Sequence, residues 1–477
     1  MSRYFKTFLL WSALTPALGA GLPEPVAKAL RDAKVPQSSV SLVVQEIGAQ
    51  RPALTLNAGA ARNPASVMKL VTTYAALELL GPAYRWKTEA YLDGDDLVLK
   101  GSGDPKLTYE SFWILLRNLR ARGVREIRGD LVLDRSYFAQ AQYEPIDDQV
   151  FRPYNVIPDA LLVNFKTVRF VFWPEDGKVR MFYEPALPGL EVVNALRLTD
   201  GACPEGRAFR ERIDASFESK PPRAAFTGYY PVSCGERELN VALHQPEEYV
   251  AAMMRVLWSE IGGTWTGKVR EGTPSPLAKL VYTHESEPLA ELVRDINKFS
   301  NNVMARQLYL TLAAELDGAP AQGPAAARAI AQWLTLKGIS APDLALENGS
   351  GLSRNERASA ATLMKLLQAA WASSVMPEFI ASLPVVAADG TMRRRLQGEG
   401  VSGNAHIKTG LLADARAMAG YVLDRGGRRY AVVMIANHPN APYAEPAFDA
   451  LLARVRSGVR ARDPAKANPR DASPQRP

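Results

Sequence analysis

Between Asn63 and Gly81-Pro82 lies a helical stretch with almost no polar face to offer water. Asn63 is a good N-cap, Pro64 suits the first helical position, and Gly81-Pro82 stops the helix. Between these signals Val67, Leu70, Val71, Tyr74, Ala75, Leu77, Leu79 and Leu80 put apolar groups on most sides, so this helix has to be buried. The chain has the material to bury it. Its 477 residues are 47% apolar and 22% charged, which is ordinary globular composition with room for about three domains.

Past the first twenty residues no apolar run reaches the length of a membrane span, which excludes a polytopic membrane protein. The net charge of +7 is concentrated at the ends. Residues 454–477 hold seven Lys/Arg against two Asp, a net of +5, and Arg3 with Lys6 add +2. The body is therefore near neutral and carries no footprint for a nucleic-acid partner. Arg3 and Lys6, the apolar run Phe8 to Leu14, and Ala17-Leu18-Gly19-Ala20 come in the order of a cleavable export signal over residues 1–20. Cys203 and Cys234 fit one disulfide in an exported chain, with two free thiols as the alternative. Two cysteines and four scattered histidines make no metal site. The Pro/Arg/Ala tail, 458–477, is expected to stay disordered, with at most weak peripheral contact to a membrane.

Val40 to Asn57 is strand-like text with a turn at Gly48. From 88 to about 280 short strands (Leu97–Leu99, Leu131–Leu133, Val168–Trp173) alternate with Asp/Gly turns, with helices near Tyr109–Arg122 and Pro246–Ile261. This reads as a β-rich insert of two nested subdomains. Helical text returns over Ser286–Leu316, Pro324–Lys337 and Ala360–Trp371. Ala417–Leu423 and Tyr430–Ile435 form a hairpin across Asp424-Arg425-Gly426-Gly427, and Glu445–Arg456 is a closing helix.

Three strings carry chemistry. Ser66-Val67-Met68-Lys69 is S-x-x-K, Ser300-Asn301-Asn302 is S-x-N, and Lys408-Thr409-Gly410 is K-T-G. Ser66 falls in the first turn of the buried helix, where unpaired N–H groups and the dipole favour an oxyanion. Lys69, three residues on, shares its face and reaches the hydroxyl. A buried lysine beside another cation loses basicity and can serve as general base. Lys408 and Thr409 sit on strand text, where Gly410 leaves room for a ligand backbone at an edge. Ser300-Asn301-Asn302 marks a corner between two helices. Taken singly, a first-turn serine, a solvated lysine and a cap explain each string as well. Their order and local settings together are those of penicillin-recognising serine enzymes.

The chain resembles the low-molecular-mass class C penicillin-binding proteins, the D-alanyl-D-alanine carboxypeptidase/endopeptidase family. Further strings carry the likeness: Gly101-Ser102-Gly103-Asp104-Pro105, Asn348-Gly349-Ser350-Gly351-Leu352-Ser353-Arg354 and Asp389-Gly390-Thr391-Met392. The interval from Ser66 to Ser300, 234 residues, also matches a family that inserts β-rich domains there. The resemblance implies a multidomain α+β fold. A transpeptidase-like domain (21–87 and 281–457), an antiparallel sheet with helices on both faces, carries the insert (88–280). It implies no cofactor, peptidoglycan stem peptides as substrate, β-lactams as covalent inhibitors, and a periplasmic location; oligomeric state stays open. Ser66 would be nucleophile, Lys69 base, Ser300 a proton relay bridged to Lys69 and Lys408, and Asn302 a substrate-orienting group. Lys408, Thr409 and Gly410 would bind the terminal carboxylate end, with the N–H groups of Ser66 and Leu411 as oxyanion hole.

Departures are visible too. Leu411 stands where the family commonly has a hydroxyl, and Asn348 where an acid is usual. Asp147-Asp148 with Tyr154 resembles a segment that touches the stem peptide's amine, Asp148 being the candidate contact; an exposed turn is the alternative. Arg354 is a candidate for a substrate carboxylate or a structural ion pair. Glu236-Arg237-Glu238-Leu239-Asn240 fits the E-x-x-L-N of class A β-lactamases but precedes Ser300, so it reads as coincidence. His406, in phase with Lys408, is a minor candidate for the cleft. The rival functions are a serine β-lactamase of related fold and a catalytically silent wall-binding protein.

Overall fold

A computed structural model describes residues 22–139, 146–204 and 206–459. The export signal expected over 1–20 and all but the first two residues of the tail 458–477 lie outside them. Among the described residues no helix is long and apolar enough to cross a membrane.

Val40–Glu46 (β1), Leu54–Leu56 (β2), Ala405–Leu412 (β3), Ala415–Leu423 (β4) and Arg429–Asn437 (β5) form an antiparallel sheet of order β3-β4-β5-β1-β2. Strand alternation sorts their side chains. Leu42, Val44, Ile407, Met418, Val432 and Met434 enter one core; Val43, Ala419, Tyr421, Val433 and Ile435 enter another on the opposite face. The helices are α1 (Glu24–Asp32), α2 (Lys69–Leu79), α3 (Leu289–Lys298), α4 (Asn302–Asp317), α5 (Gly323–Leu336), α6 (Ala360–Trp371), α7 (Met376–Ser382) and α8 (Glu445–Arg456). Val26 and Leu30 of α1 with Phe448, Leu451 and Leu452 of α8 cover the first face. Helices α2 to α7 stack on the second, with α2 buried in their midst from Lys69 to Leu77. The sheet thus carries helices on both faces, as expected from the resemblance.

The helix starts later than its caps indicate. Ala65 is left-handed (φ 47°), Ala65–Met68 is a 3-10 turn, and the α-helix begins at Lys69. Asn63 Oδ1 accepts from Ala65 N–H (2.8 Å), so it closes a tight turn and does not cap a regular helix.

Between α2 and α3 the chain builds a mixed sheet in the order Val269–Glu271, Leu131–Asp134, Asp96–Gly101, Lys87–Asp93, Lys279–Glu285. Helices Tyr109–Ala121 and Pro246–Glu260 pack with it. A three-stranded sheet, Arg237–Val241, Val168–Glu175 and Lys178–Glu184, lies beyond, and Phe170, Phe172, Phe226 and Tyr230 fill the shared core. The E-x-x-L-N string lies along this sheet's edge strand. Cys203 and Cys234 form a disulfide, which settles the choice between a bridge and two thiols.

Candidate active site

Ser66 is half-buried on the 3-10 turn, whose first intrahelical donor is Val67 N–H, bonding Pro64 O (3.1 Å). The Ser66 N–H precedes it and faces no helical acceptor. Asn437, at the end of β5, fixes this turn with its amide: Asn63 N–H donates to Oδ1 (2.8 Å) and Nδ2 donates to Asn63 O (2.9 Å). Gly351, at φ +82°, lies against the turn's other side, where a Cβ would stand 1.8 Å from Ala65 O.

Lys69 is fully buried. Its Nζ donates to Ser66 Oγ (2.9 Å), Asn302 Oδ1 (2.5 Å) and Ser350 O (2.5 Å). Burial, reinforced by the Lys408 charge, holds its pKa well below the ordinary lysine range, while Glu356 pulls upward. Lys408, also fully buried, donates to Ser300 Oγ (2.9 Å) and Thr409 O (2.7 Å), and burial brings its pKa down to about 7. Three segments far apart in the chain therefore meet, with two lysines each beside one serine hydroxyl.

Ser300 occupies the corner between α3 and α4 in a left-handed conformation (φ 56°). The corner is tied down by Lys298, buried, which donates to Leu383 O (2.9 Å) and pairs with Asp389 (2.6 Å). Thr391 hydroxyl bonds Thr409 hydroxyl (2.8 Å), so the Asp389-Gly390-Thr391 string links the Ser300 corner to β3.

β3 is an edge strand, and Ile407 N–H points off that edge to Pro384 O (2.7 Å). Ladder alternation sends the N–H groups of Thr409 and Leu411 the same way. Gly410 brings the strand against the Ser66 turn: a Cβ there would stand 2.8 Å from Pro64 O and 3.0 Å from Ser66 N. The Ser66 and Leu411 amides can thus converge on one oxygen.

A model of the D-Ala-D-Ala carboxypeptidase 3 (S13) family matches residues 22–455. The chain belongs to that family. It is 27% identical to the D-alanyl-D-alanine carboxypeptidase of an Actinomadura species over 93% of this chain and 86% of that one. It is 24% identical to D-alanyl-D-alanine carboxypeptidase DacB of Haemophilus influenzae over 85% and 86%. The crystal structure of penicillin binding protein 4 (dacB) from H. influenzae superposes with a TM-score of 0.73 at 22% identity, covering 90% of this chain and 99% of that one. A predatory endopeptidase of Bdellovibrio bacteriovorus superposes at 0.52 and 17%, over 87% and 93%.

Other residues of this family member stand at the rim or off the site. Arg354 is exposed and paired with Asp414 (2.9 Å), at the β3–β4 turn. Asp148 is exposed, while its neighbour Asp147 accepts from Tyr154 Oη (2.8 Å) and Asn155 Nδ2 (2.8 Å). Those bonds hold Asp147 below the usual carboxylate range against the opposing effect of burial, with Arg354 adding to them. Leu411 is 56% exposed on the edge strand β3. His406 is half-buried and lies in the β3 segment that bridges to Val385. Gly103 packs against Phe138, and its carbonyl accepts from Gln307 Nε2 (3.3 Å). Among the described residues no group of His, Cys, Asp or Glu could hold a metal ion.

Glu356 escaped the sequence reading. Fully buried, it accepts from the N–H groups of Glu347, Asn348 and Gly349 on one oxygen and Gly351 on the other (3.2, 3.0, 2.8 and 2.7 Å). It shapes the loop that offers Ser350 O to Lys69. Asn348 also has its account: Oδ1 accepts from Ser350 N–H (3.0 Å) and hydroxyl (2.7 Å), which needs an oxygen but no charge. Nothing in its local sequence marks Glu356, since its partners are backbone amides of a loop.

Proposed function

We propose that the protein is an exported, periplasmic serine DD-peptidase that removes the terminal D-Ala from peptidoglycan stem peptides. The same acyl chemistry would cut D-Ala–meso-diaminopimelate cross-links. The observation that carries this reading is the buried Lys69, 2.9 Å from Ser66 Oγ and depressed in pKa by burial and by Lys408. Neutral Lys69 takes the Ser66 proton as Oγ attacks the penultimate D-Ala carbonyl. The Ser66 and Leu411 N–H groups stabilise the oxyanion. The C–N bond breaks as Ser300 hands its proton to the departing amine and is resupplied with the proton held by Lys69, and water then releases the acyl group from Ser66. Asn302 orients the substrate amide, and Lys408 with Thr409 holds the terminal carboxylate beside Gly410. At the rim, Arg354 meets a substrate carboxylate and Asp148 the stem amine. The catalytic unit comprises 21–87 and 281–457, interrupted by the insert 88–280.

The carboxypeptidase names of the relatives support the reading, as does the structure of H. influenzae penicillin binding protein 4 complexed with a β-lactam. Incubation with fluorescent penicillin should leave a long-lived adduct on Ser66, and a pentapeptide should lose D-Ala. Rapid penicillin turnover without an adduct would make the protein a β-lactamase. Neither adduct nor D-Ala release would make it a silent wall-binding protein.

A further inference from the structure

The peptide unit between Ser350 and Gly351 has a charged side chain hydrogen-bonded at each end. Its carbonyl accepts from Lys69 Nζ (2.5 Å), and its N–H donates to Glu356 Oε2 (2.7 Å). A trans peptide points its C=O and N–H in opposite directions, so ammonium and carboxylate stand at opposite edges of one rigid unit. A carboxylate accepting at one end polarises the peptide and strengthens the acceptor at the other. Ser350 O is thereby a better partner for the protonated form of Lys69.

The surroundings hold this unit in place. Gly351 lies against Ala65 O, and the Thr72 hydroxyl of α2 donates to Gly349 O (2.7 Å). The second oxygen of Glu356 takes the amides of Glu347, Asn348 and Gly349. Burial pushes the Glu356 carboxyl up, and the four N–H donors pull it back toward the ionised form. The charged groups acting on Lys69 are Lys408, from β3, and Glu356, with opposite signs. The 3-10 turn presents the Ser66 hydroxyl to Lys69, and α4 the Asn302 amide. Around Glu356, Tyr309 of α4 lies against Gly349, and exposed Glu347 accepts from the Ser353 hydroxyl. Arg357 donates to the carbonyls of Arg354 (2.6 Å) and Glu356 (2.8 Å).

We propose that Glu356 is a positioning residue for acylation: through the Ser350–Gly351 peptide its charge stabilises the ammonium that Lys69 becomes on taking the Ser66 proton. The inference rests on the peptidase reading above, in which Lys69 is the base. The Ser66 O–H bond breaks, Lys69 Nζ gains the proton, and Glu356 neither gains nor loses one. Lys408 repels the new ammonium, and Glu356 supplies the opposite charge. The same carboxylate therefore sets the pH at which Lys69 becomes available as a base.

Purified full-length enzyme, Glu356→Gln and Glu356→Asp should be compared for the rate of acylation by fluorescent penicillin across pH. Without the charge the Lys69 ammonium is less stable, so the acid limb of Glu356→Gln should move down by about one pH unit. A weaker base should also lower the maximal rate about threefold or more. The alkaline limb, set by Lys408, should stay in place. Glu356→Asp keeps the charge, so its acid limb should remain at the wild-type pH even where its shorter reach slows the reaction. A loop that only packs lowers the rate at every pH without moving the limb, and that result overturns the inference. So does an Asp variant whose limb moves as far as that of Gln. If neither variant folds, wild-type enzyme labelled with 15N-glycine supplies the readout. Its Gly351 amide should titrate at the pH of the acid limb, and a signal indifferent to that limb overturns the inference. In each of these cases the peptidase reading stands. Wild-type enzyme that takes no penicillin at any pH overturns both.

Discussion

Lys69 and Lys408 are fully buried ammonium-bearing side chains in one cleft, and each depresses its own basicity by leaving water. In the proposed mechanism their tasks are opposite: Lys69 has to lose its proton, Lys408 to keep one opposite a carboxylate. Accordingly kcat/KM for D-Ala release should rise as Lys69 deprotonates and fall as pH passes about 7, where Lys408 discharges. A bound carboxylate favours the charged Lys408, so the alkaline limb of kcat should lie at higher pH than that of kcat/KM. Coincident limbs would remove Lys408 from carboxylate binding. Both lysines bind protons less readily folded than unfolded, so their burial costs stability that returns as pH rises toward the unfolded lysine value. Lys69→Met should therefore abolish penicillin acylation while leaving stability unchanged or raising it by about 1–3 kcal/mol. Labelling at the wild-type rate would end the assignment of Lys69 as base. The S-x-x-K pair was readable because both groups lie within one turn. Glu356 was not, because its role is set by four amides that only the folded loop presents to it.

At the scale of elements, the Ser66 turn is positioned by contacts from both sides. Gly410 of β3 and Gly351 of the 348–354 loop each admit backbone where a Cβ would collide with residues 64–66. Gly351→Ala adds a clash with Ala65 O to a left-handed φ of +82°, so it should cost about 2–4 kcal/mol and slow penicillin acylation at least about tenfold. Thermal unfolding and the acylation rate, measured together, check this; a wild-type rate would mean the loop does not position Ser66. Element boundaries show what local text can carry. The closing helix and Ala360–Trp371 match their sequence limits: Pro446 opens the first, and Ser359 caps the second by accepting from Thr362 N–H. The start of α2 does not, because left-handed Ala65, wedged between β3 and the 348–354 loop, tightens the first turn to 3-10.

Across the whole molecule two kinds of core coexist. The sheet β3-β4-β5-β1-β2 has its helices on both faces, while the insert has its own aromatic core around Phe170, Phe172, Phe226 and Tyr230. The disulfide lies in the insert and closes a 31-residue separation, a constraint worth about 3–4 kcal/mol. Replacing Cys203 and Cys234 by serine should lower the unfolding temperature of the insert in calorimetry and leave penicillin acylation within about twofold. A matching loss of acylation would show that the two cores are coupled.

Residue order alone settled which chemical groups are present, that one helix is buried, and that three motifs follow one another in the order of a known enzyme class. Those are local or compositional properties, carried by spacing and periodicity. It could not settle how Lys298 and Asp389 pin the Ser300 corner, how Asn437 clasps Asn63, or that a roomy cleft opens beside Ser300. Such features depend on groups tens to hundreds of positions apart, and their energies exist only once chain folding has removed water from between them.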